Sequence, residues 1–213
     1  MTPRRSVLVI ATAITALSLA ACSSSDTSSA PSEALSAAAA TAVPSAQAST
    51  PATVDPAQAP YVTTDCAVGQ PIPSADAPVG GDQFGSVNVN VGTSGVPTVT
   101  IGPDAQPATT LEIDDLVEGT GPAVKAGDTL TVNYCGVGMT SRQMFDSSWS
   151  RGEPISFPLD GLIQGWIDGL PGMKVGGQRL LVIPGALGYG PQGQGSILPD
   201  ETLVFVIELV SIP

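Results

Sequence analysis

Thirty of the 38 residues from 23 to 60 are Ala, Ser, Thr or Pro, and none is aromatic. Such a stretch cannot bury enough apolar surface to offset the entropy of ordering it. It therefore divides the 213-residue chain in two. The folded part is expected after residue 60, and the part before the stretch serves another purpose. As a flexible coil the stretch spans roughly 30–40 Å, and more where its prolines stiffen it. The four alanines at 37–40 favour a helical turn, but Ser and Pro flank them.

Residues 1–21 begin with Arg4 and Arg5, continue as an apolar run broken only by Thr and Ser, and end Leu19-Ala20-Ala21-Cys22. A short basic segment, a short apolar segment and small residues at the cut describe a secretory signal. A Cys directly after Leu-Ala-Ala resembles a bacterial lipobox, in which Cys22 becomes the lipidated first residue. The alternative, a membrane-spanning anchor, needs a longer apolar run. The expectation is an extracytoplasmic protein held to the cell membrane by lipid on Cys22, with residues 22–60 as its tether. Arg4-Arg5 leaves both the general and the twin-arginine export routes open.

The charge balance excludes other classes. Seven Lys and Arg face 19 Asp and Glu, a net charge of −12. Removing residues 1–21 takes away two of the seven positives and no acid, leaving 5 against 19, or −14. A nucleic-acid binder needs a basic stripe for phosphates, so no nucleic-acid partner is expected. Lipid, not a polybasic patch, must do the anchoring. There is no histidine. That removes the usual Ser-His-Asp and Cys-His triads and every His-ligated metal site. No metal and no cofactor are expected.

Residues 61–107 hold two β-like runs, Ser86-Val87-Asn88-Val89-Asn90-Val91 and Val96-Pro97-Thr98-Val99-Thr100-Ile101. The first alternates as a strand with one buried face should. Gly and Pro punctuate the rest. Two readings are open: an ordered extension lying on the main domain, or a partly disordered linker. From residue 108 the texture changes. Strand-like runs cover 111–117, 129–137, 178–183 and 202–212, and the last is apolar at nearly every position, as a central strand covered on both faces would be. One short helix fits 162–170, with Asp160 as its N-cap. Glycines interrupt it, so packing must hold it. Several strands with one helix make an α+β domain.

Asn133-Tyr134-Cys135-Gly136, Phe145-Asp146-Ser147-Ser148, Ile163-Gln164-Gly165-Trp166 and Gly172-Met173-Lys174-Val175-Gly176-Gly177-Gln178-Arg179 succeed one another. Gly188-Tyr189-Gly190 and Pro199 to Phe205 come after them. In this order they resemble the FKBP family of peptidyl-prolyl cis/trans isomerases over about 108–213, and the lipobox and tether resemble an actinobacterial lipoprotein member. The resemblance implies a bent antiparallel sheet wrapped on one short α-helix, with an apolar pocket between them. It implies Trp166 as pocket floor, Tyr134, Phe145, Phe157 and Phe205 as walls, and Leu162, Ile163 and Ile197 as rim. Tyr189 presents its hydroxyl to a substrate carbonyl. Asp146 sits at the pocket edge with Arg151 as partner. Tyr189, Trp166, Asp146 and Phe145 are thus the candidate catalytic residues. From spacing alone the same aromatics read rather as the core of a small β domain, and it is the family register that favours the pocket. Asp146 has two readings as well, polarising the site or being held by Arg151 and backbone donors for structural reasons.

Four departures from the family pattern bear on substrate preference. Ile155 stands where an aromatic is common and thins that wall, and Gly193 replaces a bulkier loop residue, which is expected to open the rim. The segment from Phe157 to Trp166 is two residues shorter. Asp200 and Glu201 add acid to the rim, which disfavours acidic substrates.

Gly188-Tyr189-Gly190-Pro191-Gln192-Gly193 matches a dinucleotide fingerprint, but Gln194-Gly195-Ser196-Ile197-Leu198-Pro199 cannot open a helix to receive a pyrophosphate. Asp114, Asp115 and Glu118 lack the spacing of a calcium loop and read as a solvated edge. With Cys22 taken by lipid, Cys66 and Cys135 remain, an even pair in an exported chain. A Cys66–Cys135 disulfide pinning the extension to the domain is one reading, and a buried free Cys135 the other. The leading function is a prolyl isomerase, expected as a monomer, acting on proline-containing segments of exported proteins, with macrolides as candidate ligands whose affinity the four departures leave open. The alternatives are a chaperone or binding module using the same pocket, and a surface lipoprotein interacting through 61–107. The enzyme reading expects activity to survive deletion of 61–107 wherever folding does.

Overall fold

The computed structural model describes residues 61–74 and 80–213, so the leader, Cys22 and the tether lie outside the described residues. Two antiparallel sheets are built from β1 (Tyr61–Asp65), β2 (Pro71–Ser74), β3 (Asp82–Phe84), β4 (Val87–Val91), β5 (Pro97–Ile101), β6 (Glu112–Val117), β7 (Thr129–Gly138), β8 (Met144–Ser147), β9 (Ile155–Pro158), β10 (Gln178–Ile183) and β11 (Leu203–Ser211). One α-helix, α1, covers Gln164–Gly169.

The first sheet has the order β2-β1-β5-β4-β3. Its strands obey local chemistry. The Oδ1 of Asp65 accepts from the backbone N–H groups of Ala67 and Val68, turning the chain after β1. Gly95, at φ +79°, closes the turn between β4 and β5 by donating to the Gly92 carbonyl. In β4 the valines alternate inward as expected, yet Asn88 between them is buried too. Its Nδ2 donates to the Gly80 carbonyl at 2.9 Å, which draws the preceding loop over it.

The second sheet has the order β6-β10-β11-β7-β8, and β9 pairs with the other half of β7. β7 is ten residues long, so its first half pairs with β9 and its second with β8. Side-chain alternation sends the two faces to different cores. Leu181, Ile183, Leu203, Phe205 and Ile207 face α1. Leu180, Val182, Val204, Val206 and Val137 face the first sheet and pack with Val87, Val89, Val99 and Ile101. This is why β11 is apolar on both faces. Cys66 and Cys135, both fully buried, join the two sheets by a disulfide with Cα atoms 5.7 Å apart. Closing so long a loop stabilises by about 4 kcal/mol in the chain-entropy account.

The helix corrects one expectation. It starts at Gln164, not at 162, and Asp160 does not cap it. Leu162 and Ile163 are extended at ψ 177° and 150°, and Asp160 lies in a separate 3-10 turn, Leu159–Gly161. Two glycines let this short helix lie against β10. A Cβ on Gly165 would meet Ile183 at 2.4 Å, and one on Gly169 would meet Leu181 at 2.8 Å.

Candidate functional site

Trp166 projects from α1 with 4% of its surface exposed. Three rings stand nearly perpendicular to it: Tyr134 at 5.7 Å and 82°, Phe157 at 6.5 Å and 87°, and Phe205 at 5.3 Å and 88°. Edge-to-face contact is the favoured geometry for aromatic rings, so the indole is held flat by its neighbours. Phe145 adds a fourth wall, 5.3 Å from Phe205 and tilted 80°.

Phe145 reaches this place through a backbone irregularity. The pairing of β7 with β8 shifts register between Gly136 and Val137, which leaves Phe145 without an opposite residue. Its ring lies over Gly136, where a Cβ would come within 2.4 Å of it. The bulge and the glycine together turn the ring inward.

The cavity so enclosed measures about 220 Å³ and is lined by these rings with Asp146, Leu162, Ile163 and Tyr189. Ile197 lies outside that lining. It borders an adjoining cavity of about 240 Å³, together with Phe145, Asp146 and Tyr189. Ile155 lines neither cavity; opposite Val132 in the β9–β7 register, it packs against the core. Arg151 is absent from both linings and reaches the site through Asp146 and Tyr134.

The polar groups form a closed network. Asp146 accepts from the Tyr134 hydroxyl through Oδ2 and from Arg151 through Oδ1. Arg151 also donates to the Tyr134 oxygen at 2.9 Å and lies 5.7 Å from the centre of its ring. Burial works to raise the Asp146 pKa, but the hydrogen bonds from Tyr134 and Arg151 outweigh it and hold the carboxyl below its usual value. Burial, then the bond to Asp146, pushes Tyr134 up to about 12. Burial, then the charge of Asp146, raises Tyr189 as well, so its hydroxyl keeps its proton at neutral pH and can donate it in a hydrogen bond.

The rim differs from the sequence expectation at one position, Glu201. Gly193 is there for a reason of its own: at φ +60°, a Cβ there would meet the Ile197 carbonyl at 2.3 Å, so the loop requires glycine. Glu201 is no rim acid. It is 4% exposed and accepts from the backbone N–H groups of Ser141 and Leu198 at 2.7 and 2.8 Å. Asp200 alone stays exposed. Asp115 and Glu118 are paired with cations, Asp115 with Arg179 and Glu118 with Lys174.

Sequence reasoning passed over two supports. Ser148 Oγ accepts from the Tyr134 N–H at 2.8 Å, and Ser147 Oγ donates to the Cys66 carbonyl at 2.7 Å. Two adjacent hydroxyls beside a candidate acid were the available signal.

Comparison with known proteins agrees with this geometry. The family model described as FKBP-type peptidyl-prolyl cis-trans isomerase matches residues 121–210. The "Probable FK506-binding protein" of Corynebacterium glutamicum is 50% identical over 101 residues, 47% of this chain and 86% of the relative. The FK506-binding protein of Streptomyces anulatus is 46% identical over 114 residues, 52% of this chain and 92% of the relative. The FKBP-type peptidyl-prolyl cis-trans isomerase FkpA of Escherichia coli is 49% identical over 94 residues, 44% of this chain and 34% of the relative.

Proposed function

This chain belongs to the FKBP-type peptidyl-prolyl cis-trans isomerases, and we propose that the cavity over Trp166 is where it isomerises X–Pro bonds. One observation carries the assignment: perpendicular rings enclose a cavity of about 220 Å³ with a single hydroxyl, Tyr189, free to donate into it. Rotation about an X–Pro bond costs about 18–20 kcal/mol in lost amide resonance. The twisted amide has less charge separation than the planar one, so an apolar enclosure favours it over the ground state. Trp166 receives the pyrrolidine ring. Tyr134, Phe145, Phe157 and Phe205 exclude water, and Leu162 and Ile163 close the edge. Tyr189 donates to the substrate carbonyl and fixes its direction. Asp146, held ionised by Tyr134 and Arg151, supplies a fixed charge at the cavity edge. No bond is made or broken.

The setting is read from the residues before the fold. The leader 1–21 and the Cys22 lipobox support a lipid-anchored, extracytoplasmic enzyme. The Cys66–Cys135 disulfide supports an oxidising compartment. Proline-containing segments of exported proteins are then the substrates and macrolides are candidate ligands of the same cavity. The chain acts as a monomer.

The test is a protease-free isomerisation assay on a prolyl peptide, with and without a macrolide. The full chain accelerates the reaction, macrolide suppresses it, and Trp166→Ala loses at least tenfold in kcat/KM, about 1.4 kcal/mol of transition-state stabilisation. A folded Trp166→Ala protein with full activity places catalysis outside this cavity.

A further inference from the structure

The strand that carries two of the proposed catalytic residues is weakly held by its own sheet. β8 has only four residues, pairs with β7 alone among the named strands, and loses its register at the Phe145 bulge. Short edge strands with few ladder bonds lie at the low-stability end of a fold. A catalytic wall must instead be held to fractions of an ångström.

The missing support comes from the first sheet, which lies wholly before the segment 121–210 matched by the family model. The turn after β1 meets β8 at both ends. At one end, Met144 packs so closely on Gly69 that a Cβ there would lie 2.4 Å from its Cε. At the other end, Ser147 Oγ donates to the Cys66 carbonyl at 2.7 Å, fully buried. Cys66 is anchored in turn. Its N–H donates to the Pro97 carbonyl of β5, and its sulfur is bonded to Cys135, the residue opposite Ser147 in the β7–β8 register. A covalent bond and a hydrogen bond thus converge on one residue. Phe145 and Asp146 are the two residues between the held ends, and both line the cavity.

We infer that the turn around Cys66 to Gly69 is a positioning element of the isomerase site, fixing β8 from behind through Ser147 and Met144 so that Phe145 and Asp146 keep their places. This rests on the cavity over Trp166 being the catalytic site. Ser147 is a positioning residue: it touches no substrate and acts through its neighbour Asp146. The first sheet is therefore part of the enzyme's working structure, and not only a link to the tether.

The experiment compares wild type, Ser147→Ala, the Cys66→Ala/Cys135→Ala pair and Trp166→Ala in the full chain. It reads kcat and KM on a prolyl peptide, well below each melting midpoint, and amide hydrogen exchange along β8. Ser147→Ala is expected to lower kcat/KM about three- to tenfold, the range of one buried hydrogen bond. Exchange at Phe145 and Asp146 should quicken while β10 and β11 keep their protection. A merely structural hydroxyl would lower the midpoint and leave kcat/KM and the local exchange unmoved, which overturns the inference. The Cys pair should show the same pattern more strongly; if it does not fold, Ser147→Ala alone decides. Trp166→Ala separates the two levels. Loss there with Ser147→Ala unchanged removes the positioning role and leaves the isomerase site. No loss in either, or an inactive wild type, removes both.

Discussion

Tyr134 serves the site with both ends of its side chain. Its ring packs edge-on to Trp166 and Phe157, and its hydroxyl donates to Asp146. The two ionisations respond in opposite directions. The Asp146 pKa is depressed in the folded chain, since Tyr134 and Arg151 outweigh its burial. The stability this gives is present above the unfolded carboxylate value, about 3.9, and is lost as pH falls through the folded one. The Tyr134 pKa is raised from 10.0 to about 12. Its contribution is present below 10 and is lost as pH rises through about 12. Tyr134→Phe keeps the ring and removes the donor. Asp146 is partly exposed, so the expected loss is modest, about 1 kcal/mol at neutral pH. In the same variant the acid loss of stability from Asp146 is smaller and is complete at higher pH, because the folded pKa, without the Tyr134 bond, lies nearer the unfolded one. Phenolate absorbance after a pH jump checks the assignment. The wild type should show a component titrating near 12 that Tyr134→Phe lacks, and three tyrosines all titrating near 10 in the wild type would contradict it.

At the scale of elements, α1 is the piece least able to stand alone. It has six residues, two of them glycine, and no side-chain cap at its N-terminus. Isolated helices need roughly twice that length to be even marginal in water. Packing on β10 holds one side of it, and Arg179 holds its end. The Arg179 guanidinium, 7% exposed, binds both Asp115 oxygens at 2.7 and 2.9 Å and donates to the Gly169 carbonyl at 2.7 Å. It therefore ties β6 and β10 to the end of the helix that presents Trp166. Arg179→Lys cannot reproduce the fork. It is expected to cost about 2–3 kcal/mol in chemical denaturation, below the full cost of breaking a buried pair because Asp115 is half exposed. It should also raise KM for a prolyl peptide as Trp166 loosens. An Arg179→Lys variant of wild-type stability would show that packing alone seats the helix. The elements also mark what could be read beforehand. β7, β10 and β11 were legible because their own apolar pattern makes them strands. β8 and β9, four residues each, were not, because pairing with the two halves of β7 defines them. The helix start was misread because an Asp placed two residues ahead looks like a cap, while the extended backbone at Leu162 shows only in three dimensions. Glu201 looked like a rim acid because one of its two partners, Ser141, lies 60 residues away in the chain. The pocket was legible because six of the nine aromatics fell into one family register.

In the whole molecule, the second sheet has both faces of its centre covered. Its front makes the cavity, and its back, with Val137, Leu180, Val182, Val204 and Val206, is covered by the first sheet. Relatives covered to 86% and 92% by matches of 101 and 114 residues have little length left for such a cover, so it is an addition to the shared domain. Exposing five such side chains forfeits about 1.5 kcal/mol or more each, comparable in total with the whole stability of an ordinary domain. Losing the disulfide adds to this. The sequence allowed activity to survive deletion of 61–107 wherever folding does. The packing predicts that folding is what fails: the deletion should give an aggregating protein with no cooperative melting transition. Replacing Val182, Val204 and Val206 by Thr in the shortened chain lowers the apolar exposure while keeping strand-forming side chains. It should recover a soluble, folded domain, detectable as a monomer by size-exclusion chromatography with a sharp melting transition. That domain keeps the cavity over Trp166 but lacks the turn behind β8, so it should bind prolyl peptides more weakly than the full chain. An unmodified deletion that is monomeric and melts within a few degrees of the full chain would show that the first sheet is dispensable to the fold, and that the apolar back face serves another contact.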